Sequence, residues 1–98
     1  MRYQLLLIVV IFLTACNSKV KQANKRGLEY MKQNLYEQAI TEFDNALSIN
    51  NTWFPVYYNR AIAKMALYQS EEALKDLEIA SRLGFEAADK VIADYFKN

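Results

Sequence analysis

The sequence of 98 residues has no histidine, one cysteine, one proline and two glycines. Without histidine, the commonest general base near neutral pH and the commonest metal ligand are both missing. Gly27 and Gly84 are the only glycines, so no glycine-rich loop exists to cradle a phosphate. Acidic pairs such as Glu71-Glu72 fall at a helix start, where acids serve the helix. No set of nucleophile, base or metal ligands emerges. The expectation is a non-enzyme with no cofactor and no metal.

What is present first reads as an export signal. Met1 and Arg2 form a short positive end, and Leu5 to Leu13 is an unbroken apolar run followed by small residues. That is the layout of a secretory signal. The run is far short of the roughly 20 residues that span a bilayer as a helix. The single cysteine closes this segment. A lone cysteine in an exported chain otherwise implies intermolecular pairing or a free thiol. Leu13-Thr14-Ala15-Cys16 resembles the lipobox of bacterial lipoproteins. The resemblance implies that the Cys16 thiol receives a diacylglyceryl group, that residues 1–15 are cleaved away, and that the new amine is acylated. Several acyl chains hold a protein firmly where one does not. Asn17 follows the cysteine. In enteric-type lipoproteins an Asp there favours inner-membrane retention, so the resemblance leans towards the outer membrane.

The mature chain would run from Cys16 to Asn98, and losing Arg2 with the signal leaves its basic and acidic side chains equal in number. Its charge is uneven. Residues 16–36 carry Lys19, Lys21, Lys25, Arg26 and Lys32 against Glu29, a balance of +4. The basic end is the end tied to lipid, where such charges meet anionic headgroups or serve as an ordinary solvated helix face. Zero net charge and an envelope location exclude a nucleic-acid partner from the expectation. The tether from Asn17 to about Lys21 has no Ser, Gly or Pro tract and reaches at most about 17 Å extended. The folded part is expected close to the membrane.

The body of the chain is one pattern written twice. Gly27 answers to Ala61, Ala39 to Ala73, Phe43 to Leu77, Ala46 to Ala80 and Ile49 to Leu83, each pair offset by 34 positions. Copy one also has Tyr30 and Tyr36, and copy two Tyr57. This resembles the tetratricopeptide repeat, a helix–turn–helix unit of that period. The departures from its pattern are Ala23 for a bulky residue, Arg26 and Arg60 for Leu, Lys64 for Tyr, and Asn51 for Pro. In physical terms Gly27, Ala39 and Ala46 permit close helix approach, while Tyr30 and Phe43 fill the space beside them.

The expected fold is all-α: two tetratricopeptide repeats forming a short α-solenoid, with a C-terminal capping helix. Residues 16–19 are the lipidated Cys and tether, 20–53 repeat one, 54–87 repeat two and 86–98 the cap. Five helices follow. The first runs from about Lys19 to Lys32, and Asn34 takes a left-handed turn. The second covers Tyr36 to Ile49, with Ala39, Ile40, Phe43, Ala46 and Leu47 on one face. Asn50-Asn51-Thr52 ends it and offers caps to a third helix, with Pro55 in its first turn and its end near Leu67. Ser70 caps the fourth, which Gly84 ends. Glu86 to Phe96 carries Ala88, Val91, Ile92, Tyr95 and Phe96 on one stripe. Two repeats and a cap make a short array, since such stacks usually need about three units.

Binding remains as the function. In the resembled family the first helix of each repeat lines a concave face. Carried onto this chain, those positions are Asn24, Leu28 and Met31, then Tyr58, Ile62 and Met65, with Asn59 beside them. They make a mostly apolar, Met-containing groove suited to an amphipathic helix or an extended apolar peptide; ordinary core packing is the competing use of the same side chains. Some tetratricopeptide domains clamp the terminal carboxylate of heat-shock chaperones with Lys and Asn in copy one, Asn in copy two, and Lys and Arg in copy three. Only Asn59 matches, so that clamp is excluded from the expectation. The partner is an unidentified protein or peptide, and the alternative is a structural lipoprotein acting by self-association through its first helix.

Overall fold

The computed structural model describes residues 2–97, leaving aside the side chains of Arg2, Phe12, Leu13, Thr14 and Cys16. Among the described residues the chain is all-α. Five helices follow one another: α1 (Arg2–Lys32), α2 (Tyr36–Ile49), α3 (Phe54–Ala66), α4 (Ser70–Arg82) and α5 (Glu86–Tyr95). Short connections force successive helices to pack antiparallel. The contacts follow chain order, α1 on α2, α2 on α3, α3 on α4 and α4 on α5, with α1 also touching α3.

Three helices stop in the same way. After α1, Asn34 N–H bonds Met31 O at 3.0 Å and Leu35 N–H bonds Tyr30 O at 2.9 Å. After α3, Tyr68 N–H bonds Met65 O at 3.0 Å and Gln69 N–H bonds Lys64 O at 2.9 Å. After α4, Gly84 N–H bonds Ser81 O and Phe85 N–H bonds Ala80 O. Each is a Schellman stop, which needs one left-handed residue. Asn34, Tyr68 and Gly84 supply it, with φ of 60°, 61° and 103°. Asn34 and Tyr68 stand one repeat period apart, so the sequence period is also a period of backbone geometry.

That recurrence explains where local capping expectations failed. Ser70 is the first residue of α4 and not its cap, and Gln69 precedes it without a side-chain cap bond. The start of α4 matches the start of α2 at Tyr36 through the shared turn, which overrides the capping preference of one serine. Asn50 and Thr52 likewise do not cap α3, whose N-cap is Trp53. Asn50 Oδ1 instead accepts from the Thr52 N–H at 2.9 Å and hydroxyl at 2.6 Å, closing the turn on itself. Pro55 sits in the first turn of α3 as expected.

The largest difference is α1. It does not begin near Lys19; the backbone is helical from Arg2 through Cys16 and the whole of Asn17–Lys21, the expected tether. Nothing in this stretch breaks a helix, and Val20, at 1% exposure, already belongs to the core. Among the described residues no helix is long and apolar enough to cross a membrane.

The core has two parts that meet at α3. Val20, Ala23, Ala39, Phe43, Ala46, Val56 and Ala63 form the first, between α1, α2 and α3. Ala61, Ala73, Leu77, Ala80, Ala88 and Ile92 form the second, between α3, α4 and α5. Alanine dominates both, so close backbone approach carries much of the packing. The repeat also balances volume. A Cβ at Gly27 would collide with the Phe43 ring, and Phe43 is fully buried with nowhere to move. In copy two the same pair of positions holds Ala61 and Leu77, a larger residue facing a smaller one.

Gly27→Ala should therefore destabilise, because overpacking costs about 1–3 kcal/mol while helix propensity returns about 1 kcal/mol. In a Phe43→Leu background the same substitution should stabilise. Urea unfolding of the four variants measures the coupling, and an equal effect of Gly27→Ala in both backgrounds would contradict this packing.

Candidate functional site

The seven candidate groove residues lie on α1 and α3 at helical spacing: Asn24, Leu28 and Met31 on α1, and Tyr58, Asn59, Ile62 and Met65 on α3. The two helices touch, and the structure brings the two asparagines together. Asn59 Nδ2 donates to Asn24 Oδ1 at 3.0 Å. Asn24 is only 8% exposed, so it is a buried strut between α1 and α3 more than an open contact. Met31 packs on the first core cluster, and Tyr58 and Met65 pack on the second. Ile62 and Asn59 are half-buried. Leu28 is the most open of the set at 37%. It lines a shallow depression of about 430 Å³ with Met31, Lys25, Glu29 and Lys32.

Phe85 is a site residue that the spacing did not single out. It follows the left-handed Gly84 and turns back onto α3, stacking on Phe54 and meeting Tyr58 edge-on, both at 4.8 Å between ring centres. The chain thus covers part of the copy-two surface with its own aromatic. The signal in the sequence was an apolar aromatic directly after a helix-ending glycine, where a Schellman stop favours a hydrophobic contact back onto the structure.

The electrostatics beside this surface account for the two arginines that depart from the repeat pattern. Arg26 Nε on α1 bonds Glu42 Oε2 on α2 at 2.8 Å. Arg60 on α3 bonds both carboxylate oxygens of Asp76 on α4, at 2.9 and 2.7 Å. Each arginine meets an acid 16 positions further along the chain, and the second pair repeats the first one period later. Arg60 goes further: its Nη1 reaches Asp44 on α2 at 2.9 Å, and its guanidinium lies 5.7 Å from the Tyr57 ring centre. Lys64 Nζ also reaches Asp76, at 3.0 Å. Burial works against the charge on Arg60, but hydrogen bonds and attraction from Asp76 and then Asp44 outweigh it and hold the guanidinium above its ordinary pKa. These charges are already partnered. Their chemistry is structural, fixing α2, α3 and α4 in register.

Cys16, the expected lipidation site, falls at a helical backbone position of α1, and its side chain lies outside the described residues. A comparison with protein-family models gives no match, and a comparison with curated proteins gives none either.

The two ion pairs share a register but differ in burial, and their loss should differ accordingly. The Asp76 side chain is 3% exposed and serves two cations, whereas the Arg26 side chain is 53% exposed. Asp76→Ala should cost about 2–3 kcal/mol, at or below the range for breaking a buried pair because Arg60 keeps Asp44. Glu42→Ala should cost under about 1 kcal/mol. Equal losses in urea denaturation would contradict the assignment of Asp76 as the buried centre.

Proposed function

We propose that this chain is a membrane-anchored lipoprotein of the bacterial cell envelope whose two tetratricopeptide repeats and capping helix form a non-catalytic protein-binding module. The observation that carries the repeat reading is the coincidence of three features at one sequence offset. They are the small-residue pattern, the left-handed turns at Asn34 and Tyr68, and the Arg–acid pairs 26–42 and 60–76. The anchor reading rests on the Leu13–Cys16 box at the end of an apolar run, and Asn17 favours the outer membrane. Exposed side chains of that run, from Leu5 at 69% to Ile8 at 52%, need an apolar environment that the protein core does not supply, which suits a signal segment held in the membrane until it is cleaved.

The binding reading rests on the surface shared by α1 and α3. Its apolar side chains are Leu28, Met31, Tyr58, Ile62 and Met65, and the Asn24–Asn59 bond holds its two helices at fixed spacing. Adaptable methionines beside a rigid frame suit an amphipathic helix or extended apolar segment of another protein. Self-association through the outer side of α1 has less in its favour. That side exposes Lys21, Gln22, Lys25, Glu29 and Lys32, and Leu28 stands only at its border with the α1–α3 surface.

Two substitutions test the two halves of this reading. Cys16→Ala should abolish acyl labelling and release the protein from the membrane fraction; retention without labelling would overturn the lipid anchor. Leu28→Glu should weaken capture of a partner crosslinked in cells from position 62, with little change in thermal stability. Leu28 is the better choice than Met31 or Met65, which lean on the core. Undiminished crosslinking with a charge at position 28 would move the binding surface elsewhere.

A further inference from the structure

The direction of α1 decides which end of the helical bundle meets the membrane. α1 enters the core at Val20 and runs towards Lys32. Because successive helices are antiparallel, the end of α2, the start of α3, the end of α4 and the start of α5 all gather near the level of Val20. The exposed apolar part of α1 leaves from this same end, and so does the backbone that carries Cys16.

Both ends expose apolar side chains, the far one Leu35 at 37% and Tyr68 at 92%, so what distinguishes this end is its charge and its place next to Cys16. Ile49 and Leu83, equivalent positions of the two copies at the ends of α2 and α4, are each 40% exposed. Trp53 is half-buried in the turn between α2 and α3. Across 48–53 and 81–85 the one charged residue is Arg82, and Lys19 and Lys21 stand exposed on α1 nearby. Glu86 and Asp89 stand in the first turn of α5 just behind this rim, Asp89 accepting from the Ser81 hydroxyl. At the other end the first turns of α2 and α4 hold Glu37, Glu71 and Glu72 against Lys32 and Lys64 in the last turns of α1 and α3, and Lys64 is already paired with Asp76. An indole, two aliphatic side chains and flanking cations beside an acylated Cys16 are the composition of a bilayer interface contact. Acids at the far end favour distance from anionic headgroups.

We propose that the turns carrying Ile49, Trp53 and Leu83 lie in the headgroup region of a phospholipid bilayer, with Lys19, Lys21 and Arg82 on its phosphates, so that the domain stands end-on to the membrane. This rests on the membrane-anchored reading and adds an orientation to it. The α1–α3 surface then faces sideways along the membrane, open to a partner in the same leaflet. The Tyr68 turn points away, about 20 Å further out along a helix of 13 residues.

Trp53 is the only tryptophan and reports its own position. The processed chain from Cys16 onward, extracted with its acyl groups from membranes of the producing cells, is placed in mixed phosphatidylcholine–phosphatidylglycerol vesicles, with bromine on shallow acyl carbons as the quencher. Trp53 emission should fall and shift to the blue. In a Trp53→Phe, Tyr68→Trp variant, emission should be unchanged by the same lipids, since position 68 is 92% exposed at the far end. Chain that floats with the vesicles but shows no loss of Trp53 emission overturns the orientation and leaves the anchor standing. Equal quenching at positions 53 and 68 overturns it as well, by laying the domain on its side. Chain that does not float overturns both readings.

Discussion

One guanidinium ties the two helical hairpins together. Arg60 sits on α3, holds Asp76 of α4 with two bonds and reaches Asp44 of α2 with a third. α3 is also the helix that both core clusters share, through Val56 and Ala63 on one side and Ala61 on the other. The apolar contacts in these clusters come mostly from alanines, which permit close packing but discriminate poorly between neighbouring registers. A bidentate Arg–carboxylate pair is directional and supplies that discrimination. With Asp76 almost fully buried, a slip of α4 against α3 would strand a charge away from water. Alanine brings the helices together, and Arg60 fixes where they stop.

The helices were legible in the sequence because their apolar spacing and the recurrence of the whole pattern reinforce each other. α2 and the turn at Asn34 follow from that pattern alone. Helix starts were less legible: Ser70 and Asn50 have strong local capping chemistry, yet the repeated backbone turn decides where α4 begins and Trp53 precedes α3. The extent of α1 escaped for another reason. The boundary at Cys16 came from a resemblance to the lipobox and not from helix chemistry, and nothing from Ala15 to Lys21 interrupts a helix.

The candidate site was legible by position more than by contact. The register of the resembled family, carried onto this chain, picks out Asn24, Leu28 and Met31 on one helix and Tyr58, Ile62 and Met65 on another, but it cannot say which polar groups will find each other. Asn24 and Asn59 bond from helices far apart in the chain. Arg26 and Arg60 read as interruptions of an apolar pattern because the acids that answer them lie in the next helix. The recurrence of an acid at 42 and 76 was the available signal, visible only when charged positions are compared at the same offset as apolar ones. Charged partners lock the helices in register, and the binding and membrane roles proposed above rest on the side chains that this locking leaves partly exposed, Leu28 above all.

If Arg60 joins the hairpins as argued, the domain opens as one unit. Native-state hydrogen exchange across a low-urea series tests this most directly. The slowest amides around Phe43 in α2 and around Leu77 in α4 should converge on a single opening free energy with a single urea dependence. Two separate isotherms, with α4 and α5 opening while α1 and α2 stay closed, would contradict it.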